Sequence, residues 1–276
     1  MSGSDAGPVA RALIAADGVN FRAAPDGAIL RALILGDEIE LLGHGDPIWR
    51  RVRAGGEEGY VAARYLRSPQ SPQIEALLGN ARDQWRRFDK GRADARADPC
   101  RGFVGEMWAA LGLDHDGRST APDGRDLSWS AAFVSFVVRL SGPDYAAFRF
   151  AGAHSVFVHD AIQARLLGRI DRPFWGYRIG ERKPGLGDIV ARNRGGRAYS
   201  YDFAESHSLY ESHSGFVVEA KERVIRVLSC GGSGGDDGDD PKWRRCALDD
   251  YELDANGFIL PGQRAIALLK NRATEV

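Results

Sequence analysis

The run Trp129–Leu140 (WSAAFVSFVVRL) constrains this chain more than any other stretch. Its apolar residues point in nearly every direction around a helical wheel, so a helix formed here must be covered on all sides. Ser141-Gly142-Pro143 then stops it. A chain that buries such a helix needs further layers around it, which implies a packed domain of mixed elements.

The surrounding texture supplies those layers. Ile74, Leu77, Leu78, Ala81, Trp85 and Phe88 recur near the helical period and predict a helix before it. Phe103, Val104, Met107, Trp108 and Leu111 predict a second, ending at Gly112, and His154–Leu167 another. After Pro184 the pattern becomes strand-like over Gly187–Arg192, His213–Ala220, Arg223–Ser229 and Arg264–Leu269. Helices first and strands second imply an α+β domain. Residues 9–66 differ again, with short apolar stretches separated by turn signals such as Pro25-Asp26-Gly27, Gly36-Asp37 and Gly55-Gly56. That spacing predicts a small β-barrel. Arg67-Ser68-Pro69-Gln70-Ser71-Pro72-Gln73 reads as an extended linker. The expected domains are therefore 9–66, a linker at 67–73, and 74–276.

Charge excludes some functions. Lys and Arg total 37 against 38 Asp and Glu, a net charge of −1, so bulk electrostatics draws the chain to neither nucleic acid nor anionic lipid. No apolar run approaches the ~20 residues of a membrane span. The first residues lack a basic and then apolar export signal, so the chain is expected to be cytoplasmic at synthesis. Three cysteines do not make a disulfide framework. Cys230 and Cys246 are near enough in sequence to pair around a loop, but a reduced state is the expectation.

Asn20, Arg22, Pro25, Gly36, Asp37, Trp49, Val52, Gly59, Tyr60, Val61, Tyr65 and Leu66 together resemble the pattern of bacterial SH3-like domains. Such domains commonly tether a catalytic partner to cell wall, and the resemblance implies the same here or a packing module without a ligand.

In the larger domain, Trp129-Ser130-Ala131-Ala132-Phe133-Val134-Ser135 resembles the W-C-A-x-F-V-S helix start of papain-like amidases and endopeptidases of the CHAP and NlpC kinds. The order of parts is also similar. Lys183–Val190 resembles the first strand entry with its Gly-Asp, and Ser212–Glu219 the strand that opens with the catalytic His. The departure is Ser130 where those families carry Cys. A hydroxyl is much harder to deprotonate than a thiol, so Ser130 requires a true general base and an oxyanion hole. An uncharacterised bacterial family related to these groups carries the same Ser, with similar Ala153-His154 and Ser212-His213 positions, over roughly 80–262.

The resemblance implies Ser130 as nucleophile, His213 as base and Ser233 as the polar partner of the base, where the nearest family carries Asn. Trp129, His154, His207 and Asp188 are expected to line the cleft. Each residue has a plainer reading beside this one. Ser130 reads equally as a helix N-cap. His213 reads as a hydrogen-bonding residue at a strand entrance, and His154 as a structural residue. Glu205-Ser206-His207 and Glu211-Ser212-His213 are near-copies, so on a strand both imidazoles share a face, an arrangement that also suits zinc. No metal or cofactor is expected, because no H-E-x-x-H or paired C-x-x-C motif is present. Cys100 in Asp98-Pro99-Cys100-Arg101-Gly102-Phe103-Val104 is a rival nucleophile, weakened by Pro99 and Arg101. Gly231–Asp240 reads as a solvated loop, with one Ca²⁺ as the alternative.

The resulting expectation is an all-β SH3-like barrel joined to an α+β papain-like domain, acting as a Ser-His amidase or endopeptidase on peptidoglycan peptide. The alternatives are an inactive binding or effector scaffold, and a Ser esterase or acyltransferase. A wall substrate requires export by a non-Sec route, such as a phage, a contractile injection system or host lysis.

Overall fold

The computed structural model describes residues 10–43, 46–231 and 245–272. It is a mixed α/β protein with two antiparallel sheets. The chain divides into two compact units, residues 1–72 and 73–276.

The first unit is a seven-stranded sheet. Its strands are β1 (Arg11–Ile14), β2 (Val19–Arg22), β3 (Ile29–Leu33), β4 (Glu38–Leu41), β5 (Trp49–Ala54), β6 (Glu57–Ala62) and β7 (Leu66–Arg67). Their order is β3-β2-β6-β5-β4-β1-β7. Ile14, Val19, Phe21, Leu33, Ile39, Val52 and Val61 gather in one core, so the sheet packs against itself. The expected barrel does not close among the described residues. Its two end strands explain this: β7 has two residues, enough only to pair with β1, and β3 is exposed over most of its length.

The second unit opens with α1 (Pro72–Arg87), α2 (Cys100–Ala109), α3 (Ser130–Leu140) and α4 (His154–Leu166). Then come β8 (Phe174–Tyr177), β9 (Ile189–Asn193), the short α5 (Tyr201–Ser206), β10 (Ser212–Ala220), β11 (Val224–Cys230), β12 (Cys246–Glu252) and β13 (Ala265–Asn271). The six strands lie in the order β12-β11-β10-β9-β13-β8.

The α3 helix is buried as its composition demands. Phe133, Val134, Val137 and Val138 are fully enclosed, each contributing about 1.5–3 kcal/mol by removal from water. It packs on β10, where Phe133 meets Phe216 edge-on at 6.0 Å, and on α2. α4 packs on β8 and β10. The cysteine expectation is corrected: Cys230 and Cys246 form a disulfide. They stand directly opposite each other in the β11–β12 pairing, a proximity that sequence spacing does not reveal. Among the described residues, no helix is long and apolar enough to cross a membrane.

Candidate functional site

Ser130 is the first residue of α3, and Trp129 occupies the cap position without a side-chain capping bond. The Ser130 hydroxyl is therefore not spent on the helix. Its Oγ lies 2.6 Å from Nε2 of His154, the first residue of α4. His154 Nδ1 lies 2.6 Å from Ser214 Oγ on β10. With the proton on Nδ1 and donated to Ser214, Nε2 accepts the Ser130 proton, which is the tautomer a general base requires. Three separate elements thus converge on a Ser–His–Ser relay.

The supports of this relay are local. Ser135, one turn into α3, donates to Ala151 O at 2.9 Å, and Ala151 N donates back to Ser135 Oγ at 3.1 Å. This ties the approach to α4 onto α3. Gly152 follows, and a Cβ there would come within 2.9 Å of the Trp108 ring. Ser128 Oγ lies 3.2 Å from Ser130 Oγ and donates to Gly231 O at 3.3 Å. Gly231 has φ +69°, and a Cβ on it would meet the Trp129 ring at 2.8 Å and Ser130 N at 3.0 Å. Its own N–H donates to Arg245 O at 2.9 Å, one residue from each half of the disulfide. Arg194, just beyond β9, donates from Nη1 to Ser128 Oγ at 2.8 Å.

The site is dry. Ser130 is 1% exposed and His154 5%. Burial, and then Arg194 and Arg192, push the His154 imidazole down to about 3, so it is neutral at pH 7. His213 is displaced from its expected place. It neighbours the His154 ring at 5.0 Å rather than meeting Ser130, and neither of its nitrogens has a hydrogen-bond partner among the described residues. Burial holds it neutral as well. The sequence placed His213 on β10, the strand that carries Ser214, but the imidazole that meets Ser130 is that of His154 at the start of α4.

Other expected positions also differ. Trp129 is covered by Phe88, stacked at 5.0 Å, and does not line a cleft. Asp188 is a buried strut: its carboxylate accepts from Lys270 Nζ at 2.6 Å, Gly185 N at 2.7 Å and Asn271 N at 2.9 Å. Burial pushes it up to about 6 against the pull of Lys270. His207 ends α5, exposed and stacked on Phe203, so it does not share a strand face with His213. Cys100 is buried in a setting that raises its thiol pKa, unlike a poised nucleophile. Ser233 and Asp236–Asp240 lie outside the described residues. Sequence reasoning missed Ser128, Ser214 and Arg194. Only Ser214 carried a signal, because it shares the apolar face of β10 with Phe216.

In the first unit a cleft of about 160 Å³ is lined by Asn20, Arg22, Trp49, Arg64 and Tyr65, among others.

Residues 101–263 match the family described as "Uncharacterized protein conserved in bacteria (DUF2272)". The match spans more than half of the chain, and the chain belongs to this family. No curated protein matches it. Among solved structures, NlpC2 from Trichomonas vaginalis is 11% identical, with a TM-score of 0.21 over 96% of this chain and 73% of that one. NlpC1 from the same organism is also 11% identical, with a TM-score of 0.27 over 96% and 69%. At these scores the overlap is loose.

Proposed function

We propose that this chain is a serine-dependent acyl hydrolase of papain-like design that cuts an amide bond in cell-wall peptide. The observation that carries the proposal is the Ser130–His154–Ser214 relay, with both contacts at 2.6 Å. The Ser130 Oγ attacks the scissile carbonyl carbon, forming a C–O bond, while its proton passes to His154 Nε2. The amides of Ser130, Ala131 and Ala132 precede the first intrahelical bond of α3, which Phe133 N makes to Trp129 O. Helix-start amides with no acceptor among the described residues suit a developing oxyanion. His154 returns the proton to the leaving nitrogen as the C–N bond breaks. Water then attacks the acyl carbon as His154 accepts its proton, and His154 gives that proton to Ser130 Oγ as the acyl C–Oγ bond breaks and the acid leaves. Ser214 fixes the tautomer in place of the acid or amide that related designs use.

The wall as substrate rests on the sequence resemblances: the Ser-helix, Gly-Asp strand, His-strand order, and the SH3-like pattern of residues 12–66. The cleft at Asn20, Arg22, Trp49 and Tyr65 gathers four residues of that pattern and suits a targeting role for the first unit.

A second reading, a fold that binds without turnover, is favoured by the dryness of the site and the weak basicity of His154. Digestion of purified sacculi, read by mass spectrometry of soluble products, separates the two. The hydrolase predicts new fragments from wild type, none from Ser130→Ala, and a loss of about 10²–10⁴-fold in rate with His154→Gln. Sacculus binding without fragments from any variant establishes the binding protein instead.

A further inference from the structure

Arg194 is a half-buried cation beside the nucleophile; Glu211 attracts it through space, but among the described residues no acid bonds to it. Its Nη1 bonds Ser128 Oγ at 2.8 Å, and Ser128 Oγ is 3.2 Å from Ser130 Oγ. Among the described residues no carboxylate lies within ion-pair distance of it. The bonds of the nearby acids go to other arginines. Glu211 pairs with Arg197 at 3.1 Å, Asp249 with Arg192 at 3.5 Å, and Asp123 with Arg125 at 2.6 Å. The result is an excess of positive charge around Ser130, felt by both buried imidazoles.

Removing a guanidinium from water is costly, and proteins offset this with a carboxylate. A bond to one serine hydroxyl does not balance the charge. Holding Ser128 alone would need only a neutral donor. The planar fork of Arg, with one arm on Ser128, keeps further N–H groups for a second acceptor, and a carboxylate matches that fork best.

We propose that Arg194 binds a carboxylate of the substrate, so that the enzyme selects acyl groups bearing a free carboxylate a few bonds from the scissile carbonyl. This deepens, and rests on, the reading of Ser130 as nucleophile. It makes Arg194 a specificity-determining residue, and it narrows the substrate class from amides in general to anionic acyl donors.

The test compares two esters that differ in one charge, p-nitrophenyl hydrogen succinate and p-nitrophenyl methyl succinate. Wild type is expected to favour the acid in kcat/KM by about 10- to 100-fold, the range of a charge-assisted hydrogen bond. In Arg194→Gln the ratio falls to near one, and Arg194→Lys restores part of it. The ratio is internal to each variant, so any general loss of activity through Ser128 cancels. A wild-type ratio near one, or a ratio retained in Arg194→Gln, overturns the proposal. Succinate titration by calorimetry into Ser130→Ala, and into Ser130→Ala with Arg194→Gln, decides the same point without turnover. Binding lost with Arg194 supports the site, and equal or absent binding overturns it. Fluorophosphonate labelling of wild type reports separately on Ser130. Absent labelling, with succinate binding that depends on Arg194, rejects the nucleophile while keeping the anion site.

Discussion

Two buried polar clusters in residues 73–276 use their hydrogen bonds in opposite ways. Around Asp188 the carboxylate takes Lys270, Gly185 N and Asn271 N, and Asn271 Nδ2 continues to Tyr145 Oη at 2.8 Å. Around Ser130 the relay leaves neighbours unspent: the Trp129 indole N–H, the Ser212 hydroxyl and both nitrogens of His213 lack partners among the described residues. A buried polar group without a partner costs about 1–3 kcal/mol. The Asp188 cluster is built for stability, joining the β9 entry to β13. The Ser130 cluster forgoes stability, the usual mark of groups kept for chemistry.

The largest expected effect tests the structural half of this contrast. Asp188→Asn leaves the Lys270 ammonium buried without its counter-charge, and about 3–5 kcal/mol of stability is lost, measured by denaturant unfolding. A change below 1 kcal/mol would remove the distinction between the clusters.

Acidity gives the next effect, with opposite signs for the two. His154 has its folded value near 3, below the ordinary 6.5. Its contribution is present above pH 6.5 and is lost as the pH falls towards 3, because only the unfolded chain takes up the proton. His213 is shifted the same way. Asp188 is raised from 3.8 to about 6, so its contribution is full below 3.8 and is lost as the pH rises through 6. Unfolding free energies measured from pH 6.5 to 4 should therefore fall less steeply in His154→Gln than in wild type, and more steeply in Asp188→Asn. The slopes differ by at most about 1.4 kcal/mol per pH unit for each group, roughly 3 kcal/mol over the interval. Parallel curves for all three proteins would show that neither group titrates differently on folding.

The smallest effect sharpens the functional half. His213→Leu removes two unpartnered nitrogens at similar volume, and a gain of about 1 kcal/mol in unfolding free energy is expected. A loss of that size would mean that His213 makes bonds that stabilise the fold.

The legible and illegible parts of this chain divide along physical lines. α1 and α4 were readable because their buried residues repeat at the helical period, α3 because it is apolar on nearly every side, and β9, β10 and β13 because each carries an apolar run, Ile189–Ala191, Phe216–Val218 and Ala265–Leu269. β12 reads Cys-Ala-Leu-Asp-Asp-Tyr-Glu and buries only Cys246 and Tyr251, so it shows neither alternation nor a run. β8 has four residues including a glycine, and α5 has six. In the first unit the turns marked the strands, but whether the sheet closes depends on the end strands β3 and β7, which turns do not describe. At the site, Ser130 was legible from its place before the buried helix. The partner of Ser130 was not, because His154 and His213 differ only in how α4 and β10 are brought together. Arg194 carried no sequence signal, since its bond to Ser128 and its want of a bonded acid among the described residues exist only once the chain is folded.

Gly231 has a consequence for descent. Its backbone rests on the Trp129 ring and the amide of Ser130 in a conformation that L side chains rarely adopt, so the spot admits glycine alone while α3 begins where it does. Mutational drift at 231 is thus coupled to the placement of Ser130 although residue 231 offers no reactive group. A lineage that shifts the start of α3 is released from this constraint, and one that keeps Ser130 in place is not. Larger residues at this one position are expected only in relatives whose α3 begins elsewhere.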